Sequence, residues 1–367
     1  MKFCQIIPDK ILERLKDVKS LAISEKMRNK RKELLKLKSQ ALPVPAEHDE
    51  IRVLYEGHHN EDLNEADKNI IQIDKQHHET TPSTNSNLEF FNKIYDFIHD
   101  SLDRESFDNH NAIMKIFIHV GQDYNNAFWN GELLAFGDGD QQVFKTFMIQ
   151  NVATHETFHA VTEYTAQLEY QDQAGALNES ISDVFAVCLD QKLKNQTPAQ
   201  ASWIIGEGVF MPSINGKGLR SFKDELAYDD PVIGKDDQVK NMKDLYTGQE
   251  DNGGVHTNSG IPNHAFYQFC IRTGKFSWEV PMHLWYDTLL ITKPKDDFKT
   301  FALNTVKIAS SKLSVIDKDN LIKAWLDVGI KIKAAPNPKP DNKKKLLSIS
   351  SRIHQLDTEL SEIISSM

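Results

Sequence analysis

The chain has 367 residues, of which 40% are hydrophobic and 26% charged, a composition that is ordinary for folded globular proteins and excludes wholesale disorder and repetitive fibres. This length is more than one hydrophobic core usually serves, so we expect two packed lobes with accessory segments. The net charge of −10 argues against nucleic acid as a partner, and no apolar run approaches the ~18 residues of a membrane span.

The N-terminus and the cysteines indicate the compartment of synthesis. The first apolar stretch is interrupted at Gln5 and ends at Pro8, which is too short for a secretory signal. We therefore expect synthesis in the cytoplasm, with any export by a signal-independent route. The three cysteines lack paired spacing and predict packing residues, not a disulfide framework or a cysteine metal site: they are Cys4, Cys188 and Cys270.

Residues 1–48 form a basic segment on an acidic chain. From Lys10 to Lys38 there are eleven Lys or Arg and four Asp or Glu, a local charge of +7 that leaves −17 on the rest. Apolar residues from Ile11 to Ala22 are spaced to give one helical face. Clustered basic residues also suit a nucleic-acid arm, but no aromatic residues interleave with them and the acidic remainder would repel phosphate. An intramolecular clamp is therefore favoured.

The region after the basic segment predicts a sheet-containing lobe over residues 49–166. Two prolines within 41–47 predict an exposed connector, and the polar stretch 56–87 predicts a solvated loop whose paired histidines lack further ligands at metal spacing. Apolar residues at helical intervals predict a helix over 87–100, and 112–120 predicts a strand.

The rest of the chain predicts helices. The pattern is helical over 143–166 and 176–193 and again in several places between 262 and 330, so we assign a mainly helical C-terminal lobe to 167–331. The last region, 332–367, joins a proline-rich linker to a short heptad stripe that predicts an amphipathic helical tail. Pairing of this tail with another chain and packing back on the body both remain open.

The sequence His155-Glu-Thr-Phe-His159 is the central signal for chemistry. Residues four apart on a helix share one face, so both imidazoles can reach one Zn²⁺ while Glu156 points toward the open coordination position. Two histidines on a polar helix face are the alternative explanation. A catalytic zinc site needs a third protein ligand, so the downstream sequence decides between them.

Two downstream clusters supply the missing groups. Glu179 offers a third ligand on a second helix, and Asp183 lies one turn later on the same face, where it can accept a hydrogen bond from a ligand histidine. Farther on, His256 follows a glycine pair, and the carboxylate of Asp251 lies five residues before it. A carboxylate-supported imidazolium is a suitable donor to a developing oxyanion.

With these residues in place the chain resembles the thermolysin family of zinc metallopeptidases, and its protealysin-like branch in particular. The resemblance covers about residues 52–331 in one unbroken order, and it implies an α+β, two-lobed fold with the active site in the cleft between the lobes. The motifs that carry it are YNNAFWNG (124–131), GDGD (137–140), HETFHAVTEYTA (155–166), GALNESISDVF (175–185), WIIGEG (203–208), LRS (219–221) and DNGGVHTNSGIPNHAFY (251–267).

The resemblance implies a catalytic apparatus around one Zn²⁺, with Glu156 as the general base and proton shuttle. The implied zinc ligands are His155, His159 and Glu179. The implied oxyanion donors are Tyr170 and His256, with Asp251 orienting His256 and Asp183 orienting His155.

The resemblance also implies how a peptide or protein substrate binds. Asn126 and the backbone of Ala127 would hold the substrate chain, and Arg220 would bind a peptide carbonyl. The implied specificity pocket is apolar throughout and prefers a bulky hydrophobic side chain just after the scissile bond. Its lining residues are Phe144, Val152, Ile205, Val209 and Leu219.

Calcium is expected to differ from the family pattern. The positions that build the double calcium site of thermolysin offer only two carboxylates here, whereas Ca²⁺ takes six or more oxygen ligands, so we predict no tight double site. These positions are Asn151, Asp190, Ser202, Ile204 and Glu207.

The basic segment resembles the short precursor region of the protealysin-like branch, although the stretch from Ile6 to Asp9 lacks the usual second proline. This implies a self-inhibited precursor, with the segment as an intramolecular inhibitor. The main hypothesis is therefore an active zinc endopeptidase made as a precursor. The alternative is an inactive zinc-binding homologue that is sealed by this segment and acts as an interaction module.

Overall fold

The N-terminal lobe is built on a seven-stranded mixed sheet. The structure, a computed structural model, describes the backbone of residues 4–38, 52–63, 70–73, 76–77 and 82–332, and the side chains of 4–33, 52–63, 70–71 and 89–332. The elements of this part are β1 (Cys4–Gln5), α1 (Asp9–Arg14), α2 (Val18–Lys38), β2 (Arg52–Glu56), β3 (Ile70–Ile73), β4 (Gln76–His77), α3 (Pro82–Leu102), β5 (Met114–Ile118), β6 (Ala127–Trp129) and β7 (Leu134–Phe136).

The strand order is β1-β6-β7-β5-β2-β3-β4. The central pairs, β2 with β5 and β5 with β7, are parallel, and the outer pairs are antiparallel. The first strand therefore comes from the basic N-terminal segment and extends the sheet along β6, where Cys4 lies opposite Trp129 and Gln5 opposite Phe128.

The second half of the described chain is mainly helical, and one compact body extends to Lys331. Its elements are α4 (Gln150–Glu163), α5 (Asp172–Lys194), β8 (Ile204–Ile205), β9 (Arg220–Ser221), β10 (Asp229–Asp230), β11 (Gly234–Lys235), a 3₁₀ helix (Met242–Asp244), α6 (Glu250–Asn258), α7 (Gly260–Thr273), α8 (Val280–Ile291), α9 (Phe298–Lys312) and α10 (Val315–Asp327). The α+β, two-lobed prediction is confirmed. None of the described helices combines the length and apolarity that a membrane span requires.

Helix α4 is buried along almost its entire length, although nine of its fourteen residues are polar. The aromatic ring of Phe158 stacks on that of Phe185 at 4.2 Å and fixes α4 against α5. The hydroxyls of Thr154 and Thr157 donate to backbone carbonyls one turn earlier, at 2.7 and 2.8 Å. The remaining buried polar side chains of the helix need partners elsewhere, because an unsatisfied buried polar group is costly.

Two secondary-structure predictions are confirmed and three are wrong in detail. The helix at 87–100 and the strand at 112–120 are present as α3 and β5. The loop predicted for 56–87 includes β3 and β4. The helix predicted over 143–166 begins only at Gln150.

A local polar contact explains one of these differences, and the backbone conformation of Lys16 accounts for another. The carboxylate of Asp140 accepts hydrogen bonds from the amides of Val143 and Phe144, at 2.8 and 3.1 Å, which holds this stretch in a turn. The helix predicted from Ile11 to Ala22 is interrupted at Lys16, whose φ of 56° is left-handed, so α1 and α2 are separate helices. The predicted connector at 41–47 and the predicted tail at 333–367 lie outside the described residues.

Candidate active site

Three side chains from α4 and α5 converge at the centre of the molecule. The Nε2 atoms of His155 and His159 lie 3.0 Å apart, and each lies 3.4 Å from a carboxylate oxygen of Glu179. Zinc bound tetrahedrally by nitrogen and oxygen at about 2.1 Å places its ligand atoms about 3.4 Å apart. The two imidazole nitrogens and the Glu179 carboxylate therefore have separations close to those of a zinc ligand set.

The chemistry of these side chains also fits zinc. All three are fully buried, and Glu179 Oε2 forms no hydrogen bond among the described residues. Burial would raise the pKa of Glu179, but the electrostatic influence of the neighbouring His256 and His159 rings holds it well below the usual range. A buried, ionised carboxylate is costly unless it is paired with a positive charge or coordinates a metal ion. His and Glu side chains are common zinc ligands.

Outer partners orient both histidines. His155 Nδ1 lies 2.8 Å from Asp183 Oδ1, and His159 Nδ1 lies 2.8 Å from Asn178 Oδ1. Because Nδ1–H donates to an oxygen in each case, Nε2 is left as the ligand atom. Burial would raise the pKa of Asp183, but Arg220 lowers it to about 2. That carboxylate therefore remains ionised beside the histidine.

Glu156 lies between the two histidines in sequence and is fully buried. Neither of its carboxylate oxygens has a hydrogen-bond partner of good geometry among the described residues. Burial raises the pKa of Glu156 to about 8, against the opposing charge of His155. A carboxyl group whose pKa lies near neutrality can both accept and deliver a proton.

His256 and Tyr170 face the ligand set from α6 and from the chain preceding α5. His256 Nδ1 lies 2.8 Å from Asp251 Oδ1, and Tyr170 Oη lies 3.5 Å from His256 Nε2 and donates a short hydrogen bond to Glu179. Burial would lower the pKa of His256, but the charges of Asp251 and Glu179 raise it to about 9. Both ring nitrogens therefore carry protons that can be donated.

A left-handed turn at the start of α6 gives His256 this position. Four successive residues from Asp251 to Gly254 have φ between 51° and 84°. A side chain at Gly253 would lie 2.1 Å from the carboxylate of Asp172, so the backbone can approach only with glycine there.

The residues predicted to bind a substrate chain contact the protein's own N-terminal segment. The side chain of Asn126 exchanges two hydrogen bonds with the backbone of Ile7, at 3.0 and 3.1 Å. Arg220 donates to the carbonyl of Ile6 at 3.1 Å, and the carbonyl of Ala127 accepts from the amide of Ile6 at 3.1 Å. The segment thus occupies the predicted substrate-binding edge.

The predicted pocket residues are all buried. Leu219 lines a small cavity together with Ile6 and Ile7, and its amide donates to the carbonyl of Ile205 at 2.7 Å. The others are Phe144, Val152 and Val209.

A lysine lies among the predicted calcium positions. Lys194 Nζ lies 2.8 Å from Asp190 and 3.7 Å from Glu207, so both remaining carboxylates face an ammonium group. Asn151 is engaged with the backbone of Ile204 and Gly206. The hydroxyl of Ser202 donates to Glu207 at 3.1 Å.

Sequence reasoning missed three polar partners of the site. Asn178 supports His159, and the Asn263 amide donates to Asp183 at 2.9 Å. Arg31 of α2 forms a buried ion pair with Glu163 at the end of α4, at 2.6 Å. Of these three, only Asn178 could have been found from the sequence, because it immediately precedes the predicted ligand Glu179. The other two contacts join distant parts of the chain.

Comparisons with known proteins agree with this geometry. A model of the thermolysin metallopeptidase catalytic domain matches residues 38–163, and a model of the thermolysin metallopeptidase alpha-helical domain matches residues 166–330. An extracellular metalloprotease of Pectobacterium carotovorum subsp. carotovorum is 43% identical over 243 residues, which cover 65% of this chain and 70% of the relative. Thermolysin of Alicyclobacillus acidocaldarius subsp. acidocaldarius is 46% identical over 175 residues, 47% of this chain but only 30% of the relative.

Among solved structures, the precursor of protealysin from Serratia proteamaculans superimposes with a TM-score of 0.77 at 37% identity. The match covers 89% of this chain and 99% of the protealysin precursor. The similarity therefore includes the short N-terminal segment as well as the two lobes.

Proposed function

This chain belongs to the thermolysin family of metallopeptidases, and from that membership we propose that it is a zinc-dependent neutral endopeptidase made as a self-inhibited precursor. Its substrates are peptides or proteins that carry a bulky hydrophobic residue just after the scissile bond. The observation that carries the proposal is the ligand set of His155, His159 and Glu179, whose mutual spacing and burial suit a single zinc ion.

Each neighbouring side chain has a proposed role around that ion. Zinc held by these three ligands would lower the pKa of a water and polarise the scissile carbonyl. Glu156 accepts the proton of the attacking water and delivers it to the leaving amine, which its raised pKa supports. His256 and Tyr170 donate to the developing oxyanion, and Asp251 keeps His256 oriented and charged.

Substrate binding is proposed at the edge strand β6. Asn126 and Ala127 hold the substrate backbone, and Arg220 binds a carbonyl next to the specificity pocket, because these groups make such contacts with the N-terminal segment. Phe144, Val152, Ile205, Val209 and Leu219 are proposed to line that pocket. While the segment remains in place, it excludes other substrates.

The alternative function, an inactive zinc-binding interaction module, is not favoured. Every group that peptide hydrolysis needs is present in the described site, and the similar proteins of known activity are proteases. Self-association through the tail, synthesis in the cytoplasm and export by a signal-independent route remain proposals. The name of the Pectobacterium relative supports export for this chain.

Replacing Glu156 by Gln tests the proposal most directly. The variant keeps the three ligands and should bind one zinc, but it should lose peptide hydrolysis by a factor of about 10²–10⁴ or more because the proton acceptor is gone. His155→Ala is the matched control and should lose the metal together with the activity. Zinc content and hydrolysis of a synthetic peptide are measured on both. A Glu156→Gln protein that hydrolyses peptides at near wild-type rate would contradict the assignment.

The same samples test the precursor. We propose that the segment is removed by cleavage between about residues 41 and 51, where the two prolines predict an extended connector. Intact-mass measurement of the wild-type protein over time should show this loss, and Glu156→Gln should accumulate uncut if the removal is self-catalysed. A wild-type chain that stays full-length while fully active would count against a precursor.

A further inference from the structure

The N-terminal segment crosses the active site as an extended strand with one defined register. Cys4 and Gln5 pair with β6, and the ladder continues through the amide of Ile6 to the carbonyl of Ala127. It ends at Pro8, which has no amide hydrogen to donate. The register is therefore set by a few residues, and the partner of each backbone group can be named.

Three successive residues of this strand meet three different parts of the catalytic apparatus. The carbonyl of Gln5 lies 2.9 Å from His256 Nε2, the proposed oxyanion donor. The carbonyl of Ile6 accepts from Arg220 at 3.1 Å. The backbone of Ile7 is bound at both its amide and its carbonyl by the side chain of Asn126 (3.0 and 3.1 Å).

This order is the one that a substrate requires. A carbonyl at the oxyanion donor belongs to the residue before the scissile bond, and the next two residues then meet the carbonyl-binding arginine and the chain-holding asparagine. Gln5 therefore occupies the position before the scissile bond, and Ile6 the position after it. Ile6 is also a bulky apolar residue that is fully buried, as the proposed specificity requires of the residue after the scissile bond.

Other contacts fix this register. The Gln5 side-chain amide donates to Asp9 at 2.7 Å, and Cys4 packs in one apolar cluster with Tyr170 and Val255. A shift of one residue would turn every side chain of the strand to its opposite face. It would also separate the backbone of Ile7 from Asn126 and the carbonyl of Ile6 from Arg220.

We propose that the Gln5–Ile6 bond is a cleavage site for the chain's own active site, so that the N-terminal segment is a bound substrate as well as a block. The proposal rests on the proposed protease function. One water adds to the carbonyl carbon of Gln5, and the bond from that carbon to the nitrogen of Ile6 breaks. Gln5 leaves as a carboxylate and Ile6 keeps the amine, which receives its proton from Glu156.

The consequence is a two-step loss of the segment. The products are a peptide of residues 1–5 and a chain that begins at Ile6, still held by the contacts of α2 with the body. The first cut removes the hydrogen bonds of Gln5 to His256 and Asp9 and the pairing of β1 with β6. The remaining segment is then held more weakly over the site than before.

The experiment uses the full chain, purified free of metal and then loaded with zinc. Intact mass and N-terminal sequencing should show a chain that begins at Ile6 while its connector is still uncut. The fraction cut at a given time should be unchanged by tenfold dilution, because the reaction is intramolecular. Glu156→Gln with zinc bound should keep residues 1–5.

Two variants at Ile6 test the register. Ile6→Leu should be cut at a rate close to that of the wild type, whereas Ile6→Asp should be cut at least about tenfold more slowly, since an apolar contact in such a pocket is worth a factor of roughly 10–200. Equal rates for the two variants, or cleavage at a neighbouring bond, would overturn the assignment of Gln5–Ile6.

A separate readout distinguishes failure of this inference from failure of the proposed function. Arg31→Glu, which places two like charges together at Glu163, should loosen the segment and expose the site to a synthetic peptide. If this variant hydrolyses the peptide while the wild-type chain keeps residues 1–5 until its connector is cut, the inference is wrong and the protease function stands. If zinc-loaded protein hydrolyses neither the Gln5–Ile6 bond nor the synthetic peptide, both the inference and the protease function are wrong.

Discussion

At the scale of single residues, several buried or half-buried ionisable side chains of this protein lie beside a group of opposite charge. His119, which has a left-handed φ of 52°, lies 2.8 Å from Asp138 in the GDGD motif. The hydrogen bond to Asp138 raises the pKa of His119, although partial burial opposes it. The pair is far from the zinc ligands in sequence and can be tested independently of metal.

Replacing His119 by Gln should change the pH dependence of stability. Because the pKa of His119 is raised in the folded state, its contribution is fully present below the unfolded pKa of about 6.5 and is lost as pH rises through the folded value. The wild type should exceed the variant in free energy of unfolding at about pH 5.5, by up to ~1 kcal/mol more than at about pH 8.5. Urea unfolding at both pH values measures this, and an advantage that grows with pH would contradict it.

At the scale of elements, helix α2 is the main anchor of the N-terminal segment. Its Arg31 is 2% exposed and pairs with Glu163, while Ser20 accepts from the amide of Asn125 and Ser24 bonds to Tyr124, at 2.9 and 3.2 Å. Glu163 also accepts from the indole of Trp129 at 2.8 Å, so the ion pair joins α2 to both α4 and the sheet. The docking of the N-terminal segment therefore depends on a contact at the C-terminal end of α4.

Arg31→Ala should release the segment without touching the active site. Removing one partner of a buried pair costs about 3–5 kcal/mol, which lowers both the stability of the precursor and the docking of α2. Lys19→Ala is the control, because Lys19 pairs with Asp123 in an exposed position worth less than about 1 kcal/mol. We expect peptide hydrolysis by the uncleaved chain to rise in the first variant only. Similar behaviour of the two variants would show that the buried pair is not the anchor.

At the scale of the whole molecule, the two lobes meet along α4 and α5, and Lys194 of α5 contacts two of the residues at the predicted calcium positions. Lys194 holds the carboxylates of Asp190 and Glu207 together within the described structure. The ammonium group of Lys194 supplies one positive charge beside these carboxylates, where a calcium ion would supply two. The hydroxyl of Ser202 offers only a neutral oxygen.

Calcium should therefore have little effect on unfolding. A ligand stabilises a protein in proportion to RT ln(1 + [L]/Kd), and a site with two carboxylates and a competing lysine offers weak binding. The thermal midpoint should shift by no more than about 1 °C between a calcium-selective chelator and excess calcium, because an unfolding entropy of about 2.1 cal/mol/K per residue makes 1 kcal/mol worth roughly 1.3 °C in a chain of this length. Zinc-loaded protein is used in both arms, and a large shift would place a calcium site elsewhere.

The sequence by itself determined the family and the α+β architecture, and it predicted the residues of the proposed zinc site. Helical periodicity places His155 and His159 on one face, and Asp183 one turn after Glu179, so local spacing was sufficient. The same reasoning found α3 and β5 but extended α4 too far, because it could not foresee that Asp140 holds the residues before it in a turn.

Only the tertiary structure decided which residues pair with the buried charged groups and how the N-terminal segment lies in the site. The pairing of Arg31 with Glu163 and the contact of Gln5 with His256 join residues far apart in the chain. No periodicity relates such pairs, since their proximity follows from how strands and helices pack. The composition predicted a basic segment on an acidic body, but the alignment of the Gln5–Ile6 bond with His256 and Arg220 depends on strand register, which is set by the folded sheet.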